Sequence, residues 1–226
     1  MLAALLLAAV LGAFAVWVLY GSPWLRVERV RASGGEVLTE AEVLAAAQVP
    51  TGAPLVSVDT GAVAARLEKR LPRVDSATVT RSWPHGITVK VTEREAAVLM
   101  KERGRYVEVD AGGVRFATVA KPPPGVPVLR LDAERSPSLA RFGEDRLRRE
   151  AVTVAGDLPA AVRRETRVIR VGSYDSVTLE LRDGRTVLWG SAERGGLKAR
   201  VLTALLEKAS DADHFDVSAP TAPAVT

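Results

Sequence analysis

The sequence contains no cysteine, which excludes disulfides, thiolate metal sites, a cysteine nucleophile and a lipidated-cysteine anchor together. Histidine is almost as scarce: only His85 and His214 are present. His85 lies in Trp83-Pro84-His85-Gly86, which reads as a hairpin connection: Pro84 fixes φ, Gly86 permits a positive φ, and the Trp83 ring folds over a neighbouring helix. His214 is flanked by Asp211, Asp213 and Asp216, but no second histidine is near enough in sequence to complete a zinc site. The nucleophile patterns Gly-x-Ser-x-Gly and Ser-x-x-Lys are missing, and neither Gly112-Gly113 nor Gly195-Gly196 has the flanking residues of a phosphate loop. No catalytic residue, cofactor, metal or small-molecule substrate is therefore expected. Charge is also unevenly missing: the first twenty residues, Met1 to Tyr20, carry no charged side chain.

That uncharged segment, Leu-Ala-Ala-Leu-Leu-Leu onward, fits a transmembrane helix, because twenty residues at about 1.5 Å each match a hydrocarbon core of roughly 30 Å. Trp17, Tyr20 and Trp24 cluster at one end, as amphipathic rings do at a headgroup boundary. Ala13-Phe14-Ala15 has the small-x-small pattern of a signal-peptidase site, so a cleaved signal peptide is the competing reading. The length of the apolar run and the absence of a basic start favour the span. The nearest arginines, Arg26, Arg29 and Arg31, follow the segment. Taken alone, the positive-inside rule would place the body in the cytoplasm. The expectation is instead that Met1 lies within the span and that a basic cytoplasmic leader precedes it.

The remaining residues have the balance of a folded chain, 47% apolar and 26% charged overall, with a net charge of +4. Basic and acidic residues alternate in Arg66-Leu-Glu-Lys-Arg70 and Arg146-Leu-Arg-Arg-Glu150, the pattern of solvated helix faces rather than of a nucleic-acid surface. From Leu25 to Arg94 the periodicity changes in a fixed order. A short valine strand at Arg26 to Gly35 precedes a helix capped by Thr39, with Glu42 reaching back in a capping box. A second helix is capped by Asp59, and Val63, Leu67 and Leu71 form its apolar stripe. Ala77–Arg81 and Ile87–Glu93 then alternate at period two on either side of the Trp83 turn. The order is β-α-α-β-β.

This order, with Val27-x-x-Val30-x-Ala-Ser-Gly34, Leu55-Val-Ser-Val-Asp59, Leu71-Pro-x-Val74 and the run from Arg81 to Arg94, resembles the POTRA domain of the bacterial cell-division family FtsQ/DivIB. The resemblance extends into the second half. Hairpins are expected around Glu102–Arg105 and Asp183-Gly184, a turn at Asp110–Gly113, a proline-rich crossing at Lys121–Pro127, and helices at Glu144–Ala155 and, firmly, from Leu197. A final short strand, Phe215–Ala219, leads into a tail with Pro220 and Pro223. Leu179-x-Leu-x-Asp-Gly-x-x-Val-x-Trp-Gly190 followed by this helix and strand resembles the family's β domain.

The expected fold is α+β: a transmembrane helix over 1–22, a POTRA domain over 25–95, a mostly antiparallel β domain with flanking helices over 96–220, and a disordered tail over 221–226. The resemblance implies a cell-membrane, single-pass protein with an extracytoplasmic body, concentrated at the division septum. It implies partner binding, to FtsB/DivIC-like and FtsL-like single-span proteins, through the final strand and the adjoining helix. Independently, an uncovered edge strand offers unpaired backbone groups to a partner strand. The matching positions are Phe215, Val217 and Ala219 on one face, Asp216 and Ser218 on the other, with Lys198 and Val201 on the helix. Some family members carry an aromatic residue where this chain has Ala219. A tethered POTRA-type polypeptide-binding or assembly factor unrelated to division is the alternative.

Overall fold

The computed structural model describes residues 1–132, 143–209 and 211–226. It divides into two compact units, Met1–Arg94 and Glu95–Thr226.

The first unit opens with α1 (Leu2–Tyr20), 19 residues with a mean hydropathy of 2.7 and no buried side chain. Its length is about 28 Å at 1.5 Å per residue, so α1 is long and apolar enough to cross a membrane. A 3-10 turn, Pro23–Leu25, follows, its N-terminus capped by Ser22 Oγ accepting from Trp24 N–H at 3.1 Å. Next come β1 (Arg29–Ser33), α2 (Glu40–Ala47), α3 (Thr60–Arg70), β2 (Val74–Ser82) and β3 (Gly86–Glu93). The sheet order is β1-β3-β2, with β1 parallel and β2 antiparallel to β3.

Both helix starts form where their sequence signals lie. Thr39 accepts from Glu42 N–H while the Glu42 carboxylate accepts from Thr39 N–H at 2.8 Å, and Asp59 accepts from Ala62 N–H at 2.9 Å. The helices lay Val43, Ala47, Val63 and Leu67 against Val79, Ile87, Val89 and Val91 of the sheet. The Arg81 guanidinium donates to the carbonyls of Leu55 and Val58, at 3.1 and 2.7 Å, and holds the segment before α3 onto this core. Trp83 is 53% exposed, and the cavity it lines is walled by β1 and the β2–β3 hairpin rather than by a helix. Gly86 does not adopt a positive φ, and its lack of a Cβ instead admits the Ser82 carbonyl, which a Cβ there would meet at 3.0 Å.

In the second unit, β4 (Val98–Glu102), β5 (Arg105–Val109), β6 (Arg115–Val119) and β7 (Val128–Leu131) precede α4 (Glu144–Asp157) and α5 (Ala160–Glu165). Then follow β8 (Thr166–Ser173), β9 (Ser176–Leu181), β10 (Thr186–Gly190), α6 (Gly195–Lys208), β11 (His214–Asp216) and β12 (Ala224–Val225). They form one sheet in the order β12-β11-β10-β9-β8-β7-β4-β5-β6. Most neighbours are antiparallel, but β4–β7, β7–β8 and β10–β11 are parallel. Leu147, Ala151 and Val154 of α4 and Ala199 and Leu202 of α6 share one core with Ile169, Leu179, Val187, Trp189 and Phe215 of the sheet.

Three features of the second unit depart from the expected pattern. β8 lies at the centre of the sheet, between β7 and β9, where no strand was expected. α6 starts at Gly195 rather than Leu197. The tail expected to be disordered carries β12, which pairs antiparallel with β11, Phe215 opposite Val225 and Asp216 opposite Ala224. Pro220 and Pro223 sit in the turn that reverses the chain, where Ala222 N–H bonds the Ala219 carbonyl at 2.9 Å, and this brings Ala224 back alongside β11.

Candidate partner-binding edge

β11 is positioned by a crossover. β10 ends at Gly190, α6 packs on one face of the sheet, and the chain returns to pair parallel to β10, Thr186 opposite His214 and Val187 opposite Phe215. Side chains alternate across a strand, so Phe215 points with Val187 into the core, 2% exposed, while His214 and Asp216 face outward. Val217 continues inward, fully buried, and its N–H donates to the Leu188 carbonyl at 3.0 Å. The strand stops at Asp216, whose Oδ1 accepts from the Ser218 N–H at 2.8 Å and from its hydroxyl at 2.6 Å, an Asx turn that diverts the backbone from the ladder.

The seven residues expected to meet a partner therefore separate by depth. Phe215, Val217 and Lys198 are buried, and Val201 is half-buried against the core. Asp216 and Ser218 are half-buried and Ala219 is exposed. Ala219 does not continue the Phe215 face, because the Asx turn ends the alternation before it. Lys198, Ser218 and Ala219 do come together, lining a shallow cavity of about 230 Å³ with Ser191, Glu193 and Arg194. The Lys198 ammonium donates to the Ser191 carbonyl at 2.8 Å and lies 6.0 Å from the centre of the Trp189 ring. Burial pushes its pKa below the ordinary lysine value, with Glu193 opposing. Its observed role is to fasten the loop between β10 and α6.

The start of α6 depends on a close approach. Arg194, in the left-handed conformation, precedes it without a side-chain cap. A Cβ on Gly195 would lie 1.9 Å from Asp157 Oδ2 at the end of α4, so only glycine fits. The Asp157 carboxylate thereby sits at the positive end of α6.

β11 offers no free edge, since β10 and β12 flank it on both sides. His214 N–H donates to the Thr226 carbonyl and Thr226 N–H to the His214 carbonyl, both at 3.0 Å, which makes Val225 the intervening position. In an antiparallel ladder the backbone groups of that position point away from the partner strand. The outward N–H and C=O at this edge accordingly belong to Val225, and Pro223 contributes no donor. Among the described residues, no strand pairs with the outer edge of β12. Next to it, Thr178, Thr186, Leu188, His214, Asp216, Ala224, Val225 and Thr226 line an open groove of about 340 Å³. His214 Nδ1 and Thr186 Oγ1 are 2.5 Å apart across its floor. Further along the sheet, Arg170 bonds both Asp132 and Glu180, and its hydrogen bond to Glu180, with the charges of the neighbouring arginines, holds the Glu180 carboxyl below its usual range. Sequence reasoning missed Ala224 and Val225, because two residues after a proline carry no periodicity. Among the described residues, no group of three or more acidic, histidine or cysteine side chains is arranged to hold a metal.

Comparison with known proteins bears on both units. The profile of the POTRA domain, FtsQ-type, matches residues 25–94, and that of the cell division protein FtsQ/DivIB, C-terminal, matches residues 97–218. The cell division protein FtsQ of Streptomyces venezuelae is 64% identical over 209 residues, covering 92% of this chain and 77% of that protein. That of Streptomyces griseus is 62% identical over 91% of this chain and 99% of its own length. The FtsQ of Mycolicibacterium smegmatis is 35% identical over 92% of this chain and 59% of its own length. A solved structure, the major extracytoplasmic domain of the trans isomer of the cell division protein DivIB from Geobacillus stearothermophilus, aligns with 51% of this chain and 92% of that one. Identity there is 18% and the TM-score 0.38. With both profiles matched in order and relatives of this identity over nine-tenths of its length, the chain belongs to the FtsQ/DivIB family of bacterial cell division proteins.

Proposed function

We propose that this protein is a single-pass membrane scaffold of the division machinery, with its body outside the cytoplasmic membrane at the septum. There it holds single-span partners of the FtsB/DivIC and FtsL types by strand addition at β12. The observation that carries this reading is the unpaired outer edge of β12 beside an open groove. An incoming strand would bond the outward N–H and C=O of Val225 while its alternate side chains enter the groove over Leu188 and His214. Asp216, Ser218 and Ala219 form the accessible rim; Phe215, Val217, Val201 and Lys198 support the edge from beneath. Anchoring by α1 confines the search to one membrane plane, so a short ladder suffices through raised effective concentration. The role is binding rather than catalysis.

The test is capture of partners from native membranes by the full chain and by its Val225→Pro variant. Proline at 225 removes an outward donor without touching the β11–β12 bonds, which run through His214 and Thr226. Capture of small single-span division proteins by the unmodified chain alone supports both role and edge. Equal capture by both moves the site elsewhere, and capture by neither refutes the role.

A further inference from the structure

The parallel pairing of β1 with β3 fixes which end of the first sheet lies next to the apolar helix. Arg29, the first residue of β1, is opposite Gly86, the residue that closes the β2–β3 turn. The His85 carbonyl at that turn accepts from the N–H groups of Glu28 and Arg29, at 2.9 and 3.2 Å. Helix α1 ends at Tyr20, so only the segment from Gly21 to Glu28 separates it from this hairpin tip, and part of that segment is coiled at Pro23–Leu25. Even fully extended, such a segment reaches no more than about 28 Å. The hairpin tip is thus tied close to the end of α1 by covalent chain and by backbone bonds.

The side chains gathered there are those favoured at a bilayer surface. Trp24 is 77% and Trp83 53% exposed, and neither is needed by the core. Arg29, Arg31, Ser82, Trp83, His85 and Thr88 line a cavity of about 250 Å³ at the tip. His85 Nδ1 is enclosed in its wall with no hydrogen-bond partner among the described residues. The register puts Arg29, Arg31 and Ser33 on one face with Gly86, Thr88 and Lys90 of β3 and Thr78, Thr80 and Ser82 of β2. Among these described positions there are three cations and no carboxylate; Glu28 precedes them at the strand entry.

We propose that this hairpin end binds anionic phospholipid headgroups. The phosphate sits in the Arg29–Arg31–His85 cavity, while Trp83 and Trp24 occupy the headgroup boundary. The proposal rests on α1 spanning the bilayer. Its effect is to hold the first domain at the membrane surface rather than free on its linker.

Since the chain is free of cysteine, a nitroxide can be attached at one chosen site. The full chain labelled at Thr80→Cys, near the tip, or at Ser76→Cys, four residues farther along the same strand, is reconstituted in phosphatidylcholine vesicles with or without phosphatidylglycerol. Collisions with a headgroup-tethered nickel chelate and with a soluble one are compared. In phosphatidylglycerol the label at 80 should meet the tethered chelate more and the soluble one less than the label at 76. Arg29→Glu with Arg31→Glu should shift the docked population by more than about tenfold and cancel the difference, as should omission of the anionic lipid. Trp83→Ser, at an exposed position, should weaken docking without lowering the melting temperature. Equal accessibility at 80 and 76 in both lipids, in a chain that resists alkaline carbonate extraction, overturns the proposal alone. Release of the chain by carbonate overturns the spanning reading and the proposal with it. Displacement by inorganic phosphate beyond that caused by chloride at equal ionic strength makes the cavity a free-phosphate site and overturns the lipid assignment.

Discussion

Two adjacent glycines at the start of α6 should respond to the same substitution in opposite directions. A Cβ on Gly196 meets nothing within 4 Å, whereas one on Gly195 lies 1.9 Å from Asp157 Oδ2 and 2.9 Å from Asp157 Cβ. Gly196→Ala should therefore stabilise by about 0.5–1 kcal/mol, through helix propensity and a less flexible unfolded chain. Gly195→Ala has the same gain available, but rotating the Asp157 carboxylate cannot relieve a contact with its own Cβ, so backbone must move. Overpacking of this kind costs about 1–3 kcal/mol, and withdrawing the carboxylate from the N-terminus of α6 costs about 0.3–1 kcal/mol more. The two variants should differ by about 1–4 kcal/mol, or on the order of 10 °C in Tm for a domain of this size. Trp189 is fully buried and is the only tryptophan of the second unit, so its fluorescence isolates that unit once Trp17, Trp24 and Trp83 are replaced by phenylalanine. The measurement is a denaturant or thermal titration of the full chain in detergent, followed at Trp189. A Gly195→Ala chain as stable as Gly196→Ala would refute the close packing of α4 on α6.

Other consequences follow from named groups. Because burial lowers the pKa of Lys198, the unfolded chain binds that proton more tightly, so stability should rise with pH from the folded value up to the ordinary 10.5; Lys198→Met should abolish that slope in alkaline denaturation curves. Hydrogen bonds from Thr39 depress the pKa of Glu42, so their stabilisation is present above the ordinary 4.5 and is lost as pH falls through the folded value. Thr39→Ala should return the Glu42 midpoint toward 4.5 in a carboxyl NMR titration. Leu67 is fully buried, and Leu67→Asp should cost several kcal/mol and unfold the first sheet, seen as loss of slow hydrogen exchange in β2 and β3. Persistence of that exchange protection would remove α3 from the core.

The sequence made the first unit legible because each element announces itself locally: Thr39 and Asp59 cap, Val63 and Leu67 recur at helical spacing, and β2 and β3 alternate. The second unit was legible at its hairpins and opaque at two strands. β8 follows α5 directly, Glu165 to Thr166, without a glycine or proline between them, and Val168 and Ile169 are consecutive buried residues in a central, bulged strand. Alternation is lost under those conditions. β12 is shorter than any period. At the edge itself, alternation divided Phe215 and Val217 correctly from Asp216. Only the packing of α6 reveals that the Phe215 side faces inward, so burial rather than pattern decides what a partner can touch.

The sheet of the second unit is also a mechanical element. The chain enters it at β4, and β12 lies six ladders away across β7, β8, β9, β10 and β11. A pull applied at β12 and resisted at β4 would load these ladders in series, and a series yields at its weakest member. Two ladders share the shortest register, β11–β12 and β4–β7 with two residue pairs each, against three for β10–β11 and six for β8–β9. The β4–β7 ladder is backed by the buried Leu99, Met100 and Leu129, whereas β12 brings only the exposed Ala224 and Val225 and is the weakest member. The edge that would hold a partner strand is thus a release point, parting under tension before the core behind it is strained.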